Sequence, residues 1–215
     1  MISPEDVTDF INKKGYYVIK NYMDKNICET IINESKSSDI NFINTNNIEM
    51  GGGDLRCSNF EKYSIHALNF LNDKYILNIG SCLLNHPPDR KKKRCQLGIL
   101  KYNPNKTNCS GGGWHVDNHN PQFKALLYLN NVNIDNGPFT IISPPVKSNV
   151  LPSMGDTPFL STRFSNDIVE KKYQNNIINI IGNQGDLILV NTQFLHRGTT
   201  INNGQRYTLT NYYYD

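Results

Sequence analysis

From Cys95 onward the chain is punctuated into short stretches of strand character, and that rhythm limits what it can fold into more than any other feature. Gln96–Tyr102, Phe123–Leu129, Phe139–Ile142, Ile177–Ile181, Leu187–Val190 and Tyr207–Tyr213 are rich in β-branched, aromatic and aliphatic residues. Between them stand turn formers, as in Asp135-Asn136-Gly137-Pro138 and at Gly182 and Gly185. Many short strands separated by Gly, Pro and Asn turns predict antiparallel sheets closed into a sandwich or barrel. The Phe123–Leu129 stretch reads as a continuous apolar strand of a barrel interior.

The part before Cys95 has a different character. Ser3-Pro4-Glu5-Asp6 is a helix start, with Ser as N-cap, Pro at the first helical position and acids against the helix dipole. Val7, Phe10 and Ile11 follow at helical spacing, and Gly15 ends the element. Gly15–Lys20 is a strand, and Asp24 caps a second helix reaching about Ser35. Residues 39–60 are rich in Asn and Gly and are expected to form a long mobile loop. A third helix is expected from Tyr63 to about Leu84. Pro144–Phe164 reads as irregular, a candidate lid. The expected fold is therefore mainly β with flanking helices: a double-sheet jelly roll with the N-terminal helices packed outside it. A chain of 215 residues is read as a single domain, 1–215, with a helical part over 1–94 and a jelly-roll core over 95–215.

Composition excludes several classes. The net charge of +3 is too small to argue for nucleic acid. The one basic run, Arg90-Lys91-Lys92-Lys93-Arg94, follows Pro87-Pro88 and reads as a solvated loop. Five cysteines, an odd number without CxxC spacing, disfavour a disulfide scaffold and a structural zinc site, and fit a reducing cytoplasm. No apolar run approaches the roughly 20 residues that span a bilayer, and the first residues lack a secretory h-region. No membrane partner is expected, and the oligomeric state is not encoded in any readable pattern.

The chemistry concentrates in Gly111-Gly112-Gly113-Trp114-His115-Val116-Asp117. On a strand, residues i and i+2 project from one face, so His115 and Asp117 offer an imidazole and a carboxylate side by side. His196, in Leu195-His196-Arg197-Gly198, supplies a third ligand. Two His and one carboxylate on one side of an open metal is the facial arrangement of non-haem Fe(II) oxygenases. His-x-Asp alone is weak evidence, because each residue could be structural; the distant His196 and an Arg at a suitable offset strengthen it. His119 is expected at the surface or behind the ligands, and His66 and His86 have no partner pattern.

In these motifs the chain resembles the Fe(II)- and 2-oxoglutarate-dependent oxygenases, specifically the phytanoyl-CoA dioxygenase-like branch. The residues that carry the likeness are Trp114–Asp117, Asp135–Phe139, Gly185–Leu189, Leu195–Gly198 and Arg206. The resemblance implies a double-stranded β-helix, a cupin-like jelly roll. It implies that His115, Asp117 and His196 hold Fe(II), with 2-oxoglutarate as cosubstrate and O2 as oxidant. Arg206, ten residues after His196, would bind the distal carboxylate of 2-oxoglutarate through its guanidinium fork. Gln96 and Tyr102 are further candidates for cosubstrate binding, and Trp114, Asn118 and Tyr128 for substrate. The implied reaction is hydroxylation of a small molecule, such as an amino acid or related metabolite, with release of succinate and CO2. Halogenating relatives replace the carboxylate of the triad with a small residue, so Asp117 points to hydroxylation, with desaturation and ring formation as the other outcomes this chemistry allows. A peptide side-chain hydroxylase and a non-catalytic cupin-like binding protein are the alternatives. One departure stands out: Ile141-Ile142-Ser143-Pro144-Pro145-Val146-Lys147 replaces the Pro-Gly-Ser-His segment of many members of that branch, which weakens transfer of an acyl-CoA substrate.

Overall fold

The structure, a computed structural model, describes residues 2–44, 54–89, 93–104, 112–147 and 162–214. Among these residues ten strands form two antiparallel sheets. They are β1 (Tyr16–Ile19), β2 (Ile43–Asn44), β3 (Asp54–Ser58), β4 (Lys93–Lys101), β5 (Phe123–Tyr128), β6 (Phe139–Ile142), β7 (Ile177–Ile180), β8 (Leu187–Asn191), β9 (His196–Gly198) and β10 (Gln205–Tyr213). The large sheet runs β1-β8-β5-β10-β4-β3-β2, and the small one β7-β6-β9. Single bridges from His115 to His196 and from His115 to Arg163 carry the small sheet two segments further. This is the expected double-stranded β-helix.

Among the described residues five α-helices accompany the sheets: α1 (Pro4–Lys14), α2 (Lys25–Glu34), α3 (Ile65–Leu71), α4 (Lys74–Leu84) and α5 (Asn166–Tyr173). The start of α1 is as expected: the Ser3 hydroxyl accepts from the Asp6 N–H, and Gly15 closes the helix in the left-handed region. Asp24 caps α2 in the same way. The expected third helix is two helices. Asp73 accepts from the N–H groups of Tyr75 and Ile76 and so starts α4 afresh, an N-cap in the middle of an apolar periodicity.

The main core lies between helices α1–α4 and the outer face of the large sheet. Leu97, Leu127, Leu189 and Leu209 from four adjacent strands meet Val7, Ile11, Ile31, Phe70, Ile76 and Ile79. Alternation then turns every second residue of those strands toward the small sheet. A second apolar cluster, with Tyr128, Ile141, Ile180, Ile188 and Val190, closes one end of the space between the sheets.

Three expectations are corrected. The large sheet does not begin at residue 95: β1, β2 and β3 all belong to it. Residues 39–60, expected as a loop, contain β2 and β3, and β3 pairs along β4 from Asp54 opposite Leu100 to Ser58 opposite Gln96. Its inward residues are the charged Asp54 and Arg56, so it has no apolar period to betray it. The basic run is not simply a solvated loop, because Lys93 and Arg94 are the first residues of β4. Residues 45–53, 90–92 and most of the candidate lid lie outside the described residues. The four described cysteines, Cys28, Cys57, Cys82 and Cys95, are free thiols, and among the described residues no helix is long and apolar enough to cross a membrane.

Candidate metal centre

His115 and His196 face each other across the small sheet. Each backbone N–H donates to the other's carbonyl, at 3.0 Å and 2.9 Å. Directly opposed residues of an antiparallel pair project to the same face, so the two rings come together with centroids 4.4 Å apart. Asp117, two residues on, joins them from the same face, its backbone anchored by donation from its N–H to the Thr192 carbonyl at 2.9 Å. The ligand atoms of the three residues lie within 4.8 Å of one another.

Hydrogen bonds settle the tautomers. His115 Nδ1 is 2.9 Å from the Gly113 carbonyl and His196 Nδ1 is 2.9 Å from the Phe194 carbonyl. A carbonyl only accepts, so each Nδ1 carries a proton, and in the neutral ring the lone pair falls to Nε2. Both Nε2 atoms turn toward Asp117, at 3.8 Å for His115 and 3.4 Å for His196. Burial, with the neighbouring His196 ring second, pushes the His115 imidazole down to about 3, so it stays neutral near pH 7. Burial opposes ionisation of Asp117, yet the Lys124 ammonium beside it holds its carboxyl well below the usual carboxylate range. Two imidazole nitrogens and one carboxylate, each oriented by a backbone or ammonium partner, fit a divalent metal with open positions.

Lys124 is the neighbour that sequence reasoning missed. It points inward from β5 and sets its Nζ 2.5 Å from Asp117 Oδ2 and 4.5 Å from the centre of the Tyr212 ring. Burial works against its ammonium, but Asp117 holds the lysine above its ordinary pKa. The signal was present in the sequence, as one charged residue inside the apolar run Phe-Lys-Ala-Leu-Leu-Tyr-Leu.

The triad opens onto a cavity of about 470 Å³ between the sheets, within the roughly 300–1,000 Å³ of small-ligand pockets. Arg206 lines it from β10, with its Nε buried and without a hydrogen-bond partner among the described residues. Gln96 lines it from β4 and donates to the Tyr212 hydroxyl at 3.2 Å. Asn118 lies at its rim, where its side-chain oxygen accepts from the Asn120 N–H. The cavity also takes in Asp54, Arg56, Arg94 and Arg163, which the sequence reading did not single out.

Three expected site residues lie elsewhere. Trp114 alternates to the face opposite His115 and packs with Val116, Ile142, Phe164, Val169 and Leu195. The Arg197 guanidinium lies 4.6 Å over its ring. Tyr128 is fully buried, and its hydroxyl donates to the Ile180 carbonyl at 2.8 Å and accepts from the Phe139 N–H at 3.0 Å. That phenol ties the two sheets together and has no reach left for a ligand. Tyr102 is largely exposed just beyond β4 and does not line the cavity. His66, His86 and His119 also lie off the cavity lining.

No family model and no curated protein matches the sequence. Solved structures share the fold. The non-heme α-ketoglutarate-dependent epimerase SnoN of nogalamycin biosynthesis superposes with a TM-score of 0.73 at 12% identity, over 99% of this chain and 83% of its own. HygX from Streptomyces hygroscopicus, with nickel and 2-oxoglutarate bound, gives 0.67 at 13% identity over 97% and 86%. A prolyl-4-hydroxylase from Pseudomonas putida gives 0.61 at 14% identity over 98% and 97%.

Proposed function

We propose that this protein is an Fe(II)- and 2-oxoglutarate-dependent oxygenase that hydroxylates a small-molecule substrate, an amino acid or related metabolite, and releases succinate and CO2. The observation that carries this reading is the donor set: His115, Asp117 and His196 converge with both Nε2 lone pairs free and Asp117 ionised. HygX, which shares the fold, was solved with a metal and 2-oxoglutarate together, and this supports the pairing. When bound, the iron and 2-oxoglutarate supply the O2-dependent oxidation.

The chain's own residues prepare that chemistry. The Gly113 and Phe194 carbonyls hold the ligating rings in one tautomer, and Lys124 steadies Asp117. Arg206 offers a buried, unpartnered guanidinium Nε for the distal carboxylate of 2-oxoglutarate. Gln96, on the neighbouring strand β4 opposite Thr210, adds an amide to the same cavity wall. The cluster around Tyr128 seals one end against water.

The turn after β5 supports a relation to the phytanoyl-CoA dioxygenase-like branch. Gly137 stands there at φ +69°, where a Cβ would come 2.7 Å from the Thr199 carbonyl oxygen, so only glycine fits. The absence of a Pro-Gly-Ser-His segment after β6 argues against a CoA thioester as substrate.

Anaerobic addition of Fe(II) and 2-oxoglutarate should produce a weak visible charge-transfer band. His196→Ala should abolish it and weaken Mn(II) binding by more than the roughly 10–100-fold that loss of an outer partner alone costs. Arg206→Gln should keep the metal and weaken 2-oxoglutarate by about 10–100-fold, the worth of a charge-assisted hydrogen bond. No band with the unaltered protein would refute the assignment.

A further inference from the structure

The cavity is strongly cationic. Arg56, Arg94, Lys124, Arg163 and Arg206 line it against only Asp54 and Asp117, five positive charges to two negative. The two charges of a divalent metal and the two of 2-oxoglutarate cancel, so this excess persists in the loaded site. Most of the cations are already engaged. Lys124 pairs with Asp117, and Arg56 Nε is 2.9 Å from Asp54 Oδ2. Arg163 donates to the Gly112 carbonyl, and Arg206 lies toward the other end of β10 from Tyr212.

Arg94 has no such partner. Its Nε is buried with no hydrogen-bond partner among the described residues. Its guanidinium lies 5.0 Å over the Tyr212 ring and 5.4 Å over the Tyr214 ring. Those rings stack on each other with planes 13° apart. Contact with aromatic faces orients a guanidinium but leaves its in-plane N–H groups unused. β4 and β10 place Arg94 opposite Tyr212, and β5 places Lys124 opposite Tyr212 from the other side. Arg94 therefore stands two strands from Lys124 and the Asp117 it holds, with β10 and its Tyr212 ring between them.

We propose that the primary substrate is an anion, and that Arg94, braced on Tyr212 and Tyr214, binds its carboxylate or phosphate group in the same cavity as the metal site. The proposal rests on the oxygenase reading for the word substrate, and it deepens that reading by naming the substrate's charge. An oxyanion matches the guanidinium fork with two parallel hydrogen bonds, and the tyrosine rings limit where the rest of the molecule can lie.

The test uses protein loaded with Mn(II) and 2-oxoglutarate and titrated with four probes of similar shape: benzoate, phenyl phosphate, benzamide and benzylamine. At least one of the two anions should bind about tenfold or more tightly than the neutral and cationic probes, and the better one identifies carboxylate or phosphate. Arg94→Gln should erase that preference and leave 2-oxoglutarate affinity within about twofold, whereas Arg94→Lys should retain part of it. Equal binding of all four probes by the unaltered protein overturns the proposal. So does a loss of 2-oxoglutarate binding in Arg94→Gln as large as that in Arg206→Gln, which would assign Arg94 to the cosubstrate. Failure of the Mn(II)-loaded wild type to bind 2-oxoglutarate overturns the oxygenase reading itself, however the probes bind.

Discussion

The two faces of the large sheet are made by the same strands and serve opposite ends. On β10, Tyr207, Leu209, Asn211 and Tyr213 face the helices, while Arg206, Thr208, Thr210 and Tyr212 face the cavity. β4 divides in the same way, with Cys95, Leu97 and Ile99 outside and Arg94, Gln96 and Gly98 inside. The outer face satisfies its buried side-chain donors. Asn211 donates to the Phe70 carbonyl at 2.9 Å and to the Tyr213 hydroxyl at 3.1 Å, while its Oδ1 acceptor has no partner among the described residues. The inner face leaves the buried Nε atoms of Arg94 and Arg206 without a hydrogen-bond partner among the described residues. Buried donors are costly to leave unmet, so donors left waiting on one face and none on the other mark where a ligand belongs. Stability and chemistry are thus carried by alternate residues of one strand.

That division can be broken most forcefully from the outer face. Leu209 is fully buried among the helices, and Leu209→Ala should cost about 2–5 kcal/mol of folding stability in a denaturant titration. The remaining folded protein should bind Mn(II) and 2-oxoglutarate as the wild type does. A substantial loss of affinity at full folding would show that the faces are coupled.

A smaller effect is expected at the sheet's edge. Asp186, in the Gly-Asp motif before β8, accepts from Lys20 Nζ at 2.8 Å and from the N–H groups of Asn21 and Asn183. It thereby ties the end of β1 to the turn that leads into β8. Burial opposes its ionisation, but these three partners hold its carboxyl below the usual range. A depressed pKa in the fold contributes stability above the unfolded value of about 3.9 and loses it as pH falls through the folded value. Asp186→Asn should therefore cost about 1–2 kcal/mol at pH 7, discounted because Lys20 is largely exposed. The gap from wild type should close as pH falls below about 4. A gap independent of pH would assign the effect to shape alone.

The smallest change is expected from the inner face. Thr210→Val removes a hydroxyl from the cavity between Gln96 and Leu126 and should alter stability by no more than about 0.5 kcal/mol. Any effect should appear instead in ligand affinity, measured by calorimetry. A large loss of stability would mean that Thr210 belongs to the core.

Local chemistry made some of this legible in the sequence. Ser3, Asp24 and Gly15 act through neighbours within four residues, so caps and helix ends could be read directly. Asp73 is the same kind of signal, overlooked because apolar spacing continued across it. Arg94 and Arg56 were hidden for a different reason. A charged residue on a strand looks like a solvent-facing one until the partner sheet is known, and here the partner sheet turns that face into a cavity wall. Trp114 and Tyr128 were misjudged in the opposite sense. Aromatics near ligands suggest contact with substrate, but strand alternation turns Trp114 away, and the backbone groups of Ile180 and Phe139 occupy the Tyr128 phenol.

By itself the sequence determined the ligand types, the i, i+2 pairing of His115 with Asp117, and a rhythm of short strands compatible with a closed double sheet. These follow from covalent spacing and the two-residue period of a strand, which operate over a few residues. Only the tertiary structure decided that His196 lies opposite His115, that Lys124 holds Asp117, and that a basic run ends in a guanidinium braced on two tyrosines inside the cavity. Those depend on register between strands far apart in the chain, and a shift of one residue would have turned each of these side chains to the other face.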